Sequence, residues 1–365
     1  MPNAPQPHSP SPLKARRRGR AVVVVSVLLL LLGAGWLVRG WYAPPAPVVV
    51  NHSYAEALEQ AHNGKPGAAR VLYQQLSRTD LSDIRRAGLL AELGNYPSAQ
   101  ALKILDGDLK RPVPLVQQAA IDAVTNMVSN AQRSMLIGPL LDAPDQNVRF
   151  SAVRALTGLT PDDLGLYFSA FQEAADQYQN TLASQPPSGQ SQIQLAKILV
   201  TQNAPRKALE ALDLALKLEP NNIEAGVAQV QLLDRQGQME QSRQQLAALL
   251  EKHPQSSLLQ HELGTWLLRH QQNEYALLAL AKAVELDADN TQYRYDLAVA
   301  LHDLAQLEPA QRQLEEILQR QPANRRARTL LIDYWKENGQ LQKVQVLLAE
   351  LEQLNPDDPA LQQGL

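Results

Sequence analysis

His261-Glu262 opens like the HExxH of a zinc protease, in which two histidines one helical turn apart hold the metal and the glutamate activates water. The residue four beyond His261 is Thr265, so the second ligand is absent. Gly64-Lys65-Pro66-Gly67 offers glycines and a lysine but lacks the spacing and the Lys-Ser/Thr end of a phosphate loop, and neither G-x-S-x-G nor G-x-G-x-x-G occurs. The acid pairs Asp162-Asp163, Glu315-Glu316 and Asp357-Asp358 are read at helix starts, on exposed faces or after the last helix, where they favour a first helical turn rather than catalysis. Cysteine is absent, which excludes disulfides, thiolate metal sites and cysteine nucleophiles. His253, His261, His270 and His302 are too dispersed to meet except across repeats, and Asn51-His52-Ser53 is only a formal glycosylation sequon. No catalytic residue, cofactor or metal site is expected, and the chain is not read as an enzyme.

The elements that must present any function are helices. Aromatic content is low, at 5%, and the 24 prolines fall largely between apolar-periodic stretches rather than inside them. The first 50 residues hold six basic residues and no acid, so the rest carries 28 basic against 37 acidic residues. An acidic body argues against nucleic acid as a partner, since phosphate neutralisation needs a clustered basic face. Residues 21–38, AVVVVSVLLLLLGAGWLV, are uncharged and as a helix would reach about 27 Å, near the thickness of a hydrocarbon core. Lys14, Arg16, Arg17, Arg18 and Arg20 precede this stretch and only Arg39 follows, which predicts a single-pass bacterial inner-membrane anchor with a cytoplasmic N-terminus and a periplasmic body. The small residues Gly33-Ala34-Gly35 leave a cleaved signal peptide as the alternative.

Behind the anchor the chain repeats. Pro186, Pro220, Pro254, Pro322 and Pro356 mark a 34-residue period, with Ala288 in the one missing place. Counted from residue 189, the eighth position reads Ala196, Val230, Gly264, Ala298, Ile332 and the twentieth Ala208, Ser242, Ala276, Ala310, Val344, small or aliphatic residues that let paired helices approach. The twenty-fourth is leucine throughout: Leu212, Leu246, Leu280, Leu314 and Leu348. This pattern resembles the tetratricopeptide family over residues 189–358, with Gln229 departing at position seven of the second copy.

Upstream, Ile84, Val116 and Val148 recur every 32 residues, each with a small residue three and seven positions on. The segment 137–159 resembles a HEAT repeat, with Asp145 placed to cap its second helix and Arg149 just inside. The order of YAEALEQAHNGKPGAARVL, HEAT-like helices and tetratricopeptide repeats is similar to the C-terminal half of certain multihaem cytochromes, whose CxxCH motifs are missing here. The expected organisation is therefore all-α: a basic tail over 1–20, a transmembrane helix over 21–38, a Pro-rich linker over 39–52, HEAT-like repeats over 53–160, a connecting helix over 161–188, five tetratricopeptide repeats over 189–358 forming an α-solenoid, and a tail over 359–365.

The resemblance implies a concave groove lined by the fifth and ninth positions of each first helix, here Ile193 and Lys197, Val227 and Gln231, His261 and Thr265, Tyr295 and Val299, Thr329 and Asp333. Mixed apolar and polar lining points to a partner read through apolar side chains or an amphipathic helix. The expected function is a scaffold for envelope proteins or peptides, with an assembly factor for exported proteins such as cytochromes as the alternative. A second contact patch is expected at the C-terminal end. Little room for a capping helix is expected after Pro356, so Val344, Val346, Leu347, Leu351 and Leu354 are expected to stay partly open and to support self-association.

Overall fold

The structure, a computed structural model, describes residues 52–362. Among these residues no helix is long and apolar enough to cross a membrane, and the segment 21–38 read as an anchor lies outside them.

The first half is built from α1 (Tyr54–His62), α2 (Ala68–Leu76), α3 (Asp83–Leu93), α4 (Ala99–Leu109), α5 (Pro114–Met127), α6 (Asn130–Ile137) and α7 (Gln146–Leu156). Local chemistry starts these helices where the sequence supplies it. Ser53 and Glu56 form a reciprocal capping box, Pro114 occupies a first turn, and Asp145, the one cap read from the sequence, accepts the Val148 N–H at 3.0 Å. The 32-residue register holds for Val116 and Val148, both fully buried, but fails at Ile84, which is 77% exposed. The face of α3 that packs inward instead carries Arg86, Leu89, Leu90 and Leu93. Arg86 is held inside by an ion pair with Asp108 on α4, and Ile84, two residues earlier on the same helix, faces outward. The single helix expected over 161–188 is also broken. A capped turn α8 (Pro161–Leu164) ends at Gly165, whose φ of 52° needs the left-handed region, and α9 (Phe168–Ala183) follows.

The 34-residue repeats give five helix pairs: α10 (Gly189–Thr201) with α11 (Pro205–Leu218), α12 (Ile223–Arg235) with α13 (Met239–Lys252), α14 (Ser257–Arg269) with α15 (Asn273–Leu286), α16 (Thr291–Asp303) with α17 (Leu307–Arg320), and α18 (Arg325–Glu337) with α19 (Leu341–Leu354). All the small positions at eight and twenty are buried. Each pair turns through a residue in the left-handed region at position fifteen: Asn203, Gly237, Gln271, Ala305 and Gly339. Only two of the five are glycine, so the turn is imposed by helix packing more than by local preference.

The C-terminal end does not stay open. The last repeat returns to the first helices, where the Gly67 backbone N–H donates to the Gln353 carbonyl at 2.7 Å and the Asn355 side-chain Nδ2 donates to the Pro97 carbonyl at 2.7 Å. Gly64 meets the backbone at Pro322 and Ala323 so closely that a Cβ would lie 2.9 Å from it. Leu354 and Ala323 join the same apolar core as Leu72 and Tyr96. The short α20 (Pro359–Gln362) completes this end. The expected apolar patch is thus corrected: Val344, Leu347, Leu351 and Leu354 are all at most 7% exposed, and of the five only Val346, at 59%, faces solvent. A solenoid's terminal repeat needs a cover for its apolar face, and here the chain's own first helices help to supply it. The Gly64–Gly67 turn, inspected for phosphate binding, serves this closure.

Candidate functional site

The expected groove is a row of side chains on α10, α12, α14, α16 and α18, and stacking places each helix beside its counterpart one repeat later. The structure divides the ten candidates. Ile193 is fully buried and Val227 is 6% exposed, so both belong to the repeat core rather than to the groove wall. Position five carries an aliphatic residue in those two copies, and burial removes it from water at a gain of about 1.5–3 kcal/mol. Lys197 and Asp333 are exposed, whereas Gln231, His261, Thr265, Tyr295, Val299 and Thr329 are half-buried.

Most of these polar side chains already have partners in the next repeat. Lys197 pairs with Glu224 at 3.2 Å, Gln231 donates to Glu262 at 2.6 Å, and His261 Nε2 meets Asp296 at 2.8 Å while its ring stacks on Tyr293. Arg326 lies 3.8 Å over the Tyr295 ring. Beyond the candidate positions, His270 and Arg269 both bond Asp234 at 2.7 Å, and His302 meets Glu337 at 2.7 Å while stacking on Tyr334. His261, His270 and His302 do not gather; each bridges its own pair of adjacent repeats. Thr265 and Thr329 bond back to carbonyls on their own helices. Sequence reading missed the acids Asp234, Glu262 and Asp296. A signal was available, because His261 and Asp296, His302 and Glu337, and Asp234 and Arg269 are each separated by 35 residues, one more than the period.

These bridges have an electrostatic consequence. Burial works to raise the Asp234 carboxyl, but hydrogen bonds from His270 and Arg269 outweigh it and hold it below the ordinary 3.8. Burial likewise opposes ionisation of Asp296, and bonds from His261 and Gln292 overcome it, again below 3.8. Groups with a depressed folded pKa stabilise the protein above the unfolded value, and that contribution is lost as pH falls through the folded one. Urea unfolding followed by circular dichroism should therefore show a loss of stability setting in below about pH 4. Asp234→Asn with Asp296→Asn should be less stable at neutral pH and show a shallower acid limb; an identical limb would remove these pairs as its cause.

A cleft opens on this wall. It measures about 300 Å³ and lies where the turn after α7 meets the first two repeats, with Ala196, Val200, Leu212, Ala228 and Leu232 as its apolar lining. Lys197, Thr201, Gln231 and Arg235 supply polar groups, and Thr201 Oγ1 accepts the Gly158 N–H at 2.9 Å, tying the two halves of the array together. An apolar floor with a few convergent polar groups suits a side chain presented by another protein.

Residues 199–263, which include this cleft's second repeat, match the sequence profile of the tetratricopeptide repeat. Those residues form repeats of tetratricopeptide type. An uncharacterized protein of Sinorhizobium fredii (strain NBRC 101917 / NGR234), y4yS, is 33% identical over 82 residues, which cover 22% of this chain and 45% of that one. The chain thus spans less than half the length of this curated relative. Among solved structures, YrrB, described as a TPR protein with an unusual peptide-binding site, is 20% identical over 52% of this chain and 98% of its own, with a TM-score of 0.36. The pilF protein of Pseudomonas aeruginosa is 20% identical over 53% of this chain and 88% of its own, at 0.38. MamA is 18% identical over 44% and 94%, at 0.37.

Proposed function

We propose that this tetratricopeptide protein is a scaffold that holds other proteins or peptides in its inner groove, fixed to the bacterial inner membrane by residues 21–38 with its repeats in the periplasm. The observation that carries the reading is the apolar cleft between the first two repeats, which persists although the neighbouring groove side chains are satisfied within the array. The turn after α7 supplies Thr157 and Gly158 to the rim of that cleft. Anchoring to one membrane raises the effective concentration of partners in the same plane without adding contacts. Nothing in the site calls for turnover, and the reading is non-enzymatic.

Placing a photo-crosslinking residue at Val200, on the cleft floor, should yield discrete protein adducts in cells. Ala228→Phe, which fills the cleft, should abolish them while leaving the helical circular dichroism unchanged. A reporter active only outside the cytoplasm should work when fused after residue 50, and the protein should stay with membranes through alkaline washing. Adducts indifferent to Ala228→Phe would reject the groove; a silent reporter or a released soluble form would reject the anchored topology.

A further inference from the structure

The first helices carry a larger cleft, of about 820 Å³, between the end of α2, the start of α3 and one face of α4. Arg78, Arg86, Lys103 and Arg111 line it against a single acid, Asp108, in a body that is acidic as a whole. Asp80 neutralises Arg78 through bonds of 2.6 and 2.9 Å, and the buried Asp108 is matched by Arg86 at 2.6 Å. Lys103 and Arg111 remain, the first exposed and the second half-buried, 4.0 Å from Asp108. The lining is therefore cationic after its own ion pairs are counted.

These charges stand at a defined spacing. Lys103, Gly107 and Arg111 recur every four residues along one side of α4 and the turn that ends it, so the two cations are about 12 Å apart along the helix axis. Gly107 leaves the space between them open, since a Cβ there would meet nothing within 4 Å. Beside that gap the Arg86 guanidinium is fixed by two bonds, from Nε to Asp108 at 2.6 Å and from Nη1 to the Leu76 carbonyl at 2.7 Å. Its Nη2 is open to solvent and has no protein partner among the described residues. A guanidinium already held in place loses little freedom when it takes up a further acceptor.

We propose that this cleft receives an extended acidic segment of another protein, with glutamates or aspartates on alternate residues. An extended chain advances about 3.3 Å per residue and sends alternate side chains to one side, so carboxylates at its first and fifth positions span about 13 Å. That span matches Lys103 and Arg111, and the carboxylate at the third position falls beside Arg86 Nη2. Thr79 on one wall and Gln100 on the other are exposed and suit hydrogen bonds to the segment's backbone. The lining favours a peptide over a nucleic-acid strand, because it offers no aromatic side chain on which a base could stack. The proposal does not depend on the groove or on the location proposed above.

The test titrates the full chain, in zwitterionic detergent, into a fluorescein-labelled peptide of alternating serine and glutamate with three glutamates, followed by anisotropy. The same peptide with glutamine for glutamate and a labelled oligothymidylate run beside it. Saturable binding of the glutamate peptide, weakening as salt rises, is expected, with none of the glutamine version. Lys103→Ala with Arg111→Ala should weaken it about tenfold, the scale of two lost and partly exposed ion pairs. Gly107→Glu sets a carboxylate in the open gap without displacing a neighbour and should abolish binding at unchanged helicity. Lys110→Ala, whose partner Asp106 lies outside the cleft, should change nothing. Absence of saturable binding of the glutamate peptide overturns the proposal. Binding that ignores both the double alanine variant and Gly107→Glu belongs to the basic residues at 14–20 and overturns the site. Binding of the glutamine peptide as tight as that of the glutamate one, or of oligothymidylate equally tight and equally lost in Gly107→Glu, overturns the acidic-peptide assignment.

Discussion

Truncating Arg325 to alanine should destabilise the protein by about 3–5 kcal/mol, the usual cost of leaving a buried charge without its partner. Asp358 is completely buried, and both of its oxygens are held by the Arg325 guanidinium, at 2.7 and 2.8 Å. It lies in the turn after α19, three residues beyond Asn355, which reaches across to Pro97. With the guanidinium gone, the carboxylate regains water only if that turn withdraws, and the withdrawal breaks the contact between the last repeat and the first helices. Loss of stability should therefore be accompanied by faster hydrogen exchange at the Gly67 amide, the donor to Gln353. Exposure of Leu351 and Leu354 should follow as increased dye binding or association. Asp358→Asn removes the charge while keeping a hydrogen-bond acceptor and should cost less. Equal stability of Arg325→Ala and wild type in urea titration would mean that the closure contributes nothing to the fold.

Leu280→Ala should cost about 2–5 kcal/mol, the range for removing a leucine from a packed interior. Leu280 is fully buried and fills the space that Gly264 leaves free: a Cβ at Gly264 would sit 2.5 Å from Leu280 Cγ. The two residues are a complementary pair on α14 and α15, and Gly264→Ala alone should overpack the same site at about 1–3 kcal/mol. Combining them should be less harmful than the sum, because the added methyl occupies part of the vacated volume. Strict additivity in denaturant titrations would show that the two positions do not share a packing site.

Much of this architecture was legible from residue spacing. The 34-residue period locates the helix pairs, because the positions where paired helices touch tolerate only small side chains and recur in every copy. The helix starts at Ser53, Asp145 and Thr160 follow from side-chain oxygens placed three residues before an orphan amide. The groove was read less well. Ile193 and Val227 look like wall residues by position, but an aliphatic side chain that can reach the core is drawn into it. His261 and Gln231 are half-buried, and their partners Asp296 and Glu262 have no counterpart in the groove pattern.

What the sequence by itself determined is local and periodic: which segments are helical, where each begins, how they pair, and that the repeats stack in order. Those features depend on residues within one repeat length of each other, so they are written into spacing. Tertiary structure alone decided how the array ends. The contact of Asn355 with Pro97 joins residues 258 apart, and the small rotations between successive helix pairs accumulate until the last repeat meets the first helices. Two backbone carbonyls, the Asn355 side chain and the backbones of Gly64 and Gly67 make much of that contact, and none of them carries a pattern that distinguishes it in the sequence. The same holds for the burial of Arg86 beside Asp108, which goes with an orientation of α3 that the 32-residue register, with Ile84 inside, does not give.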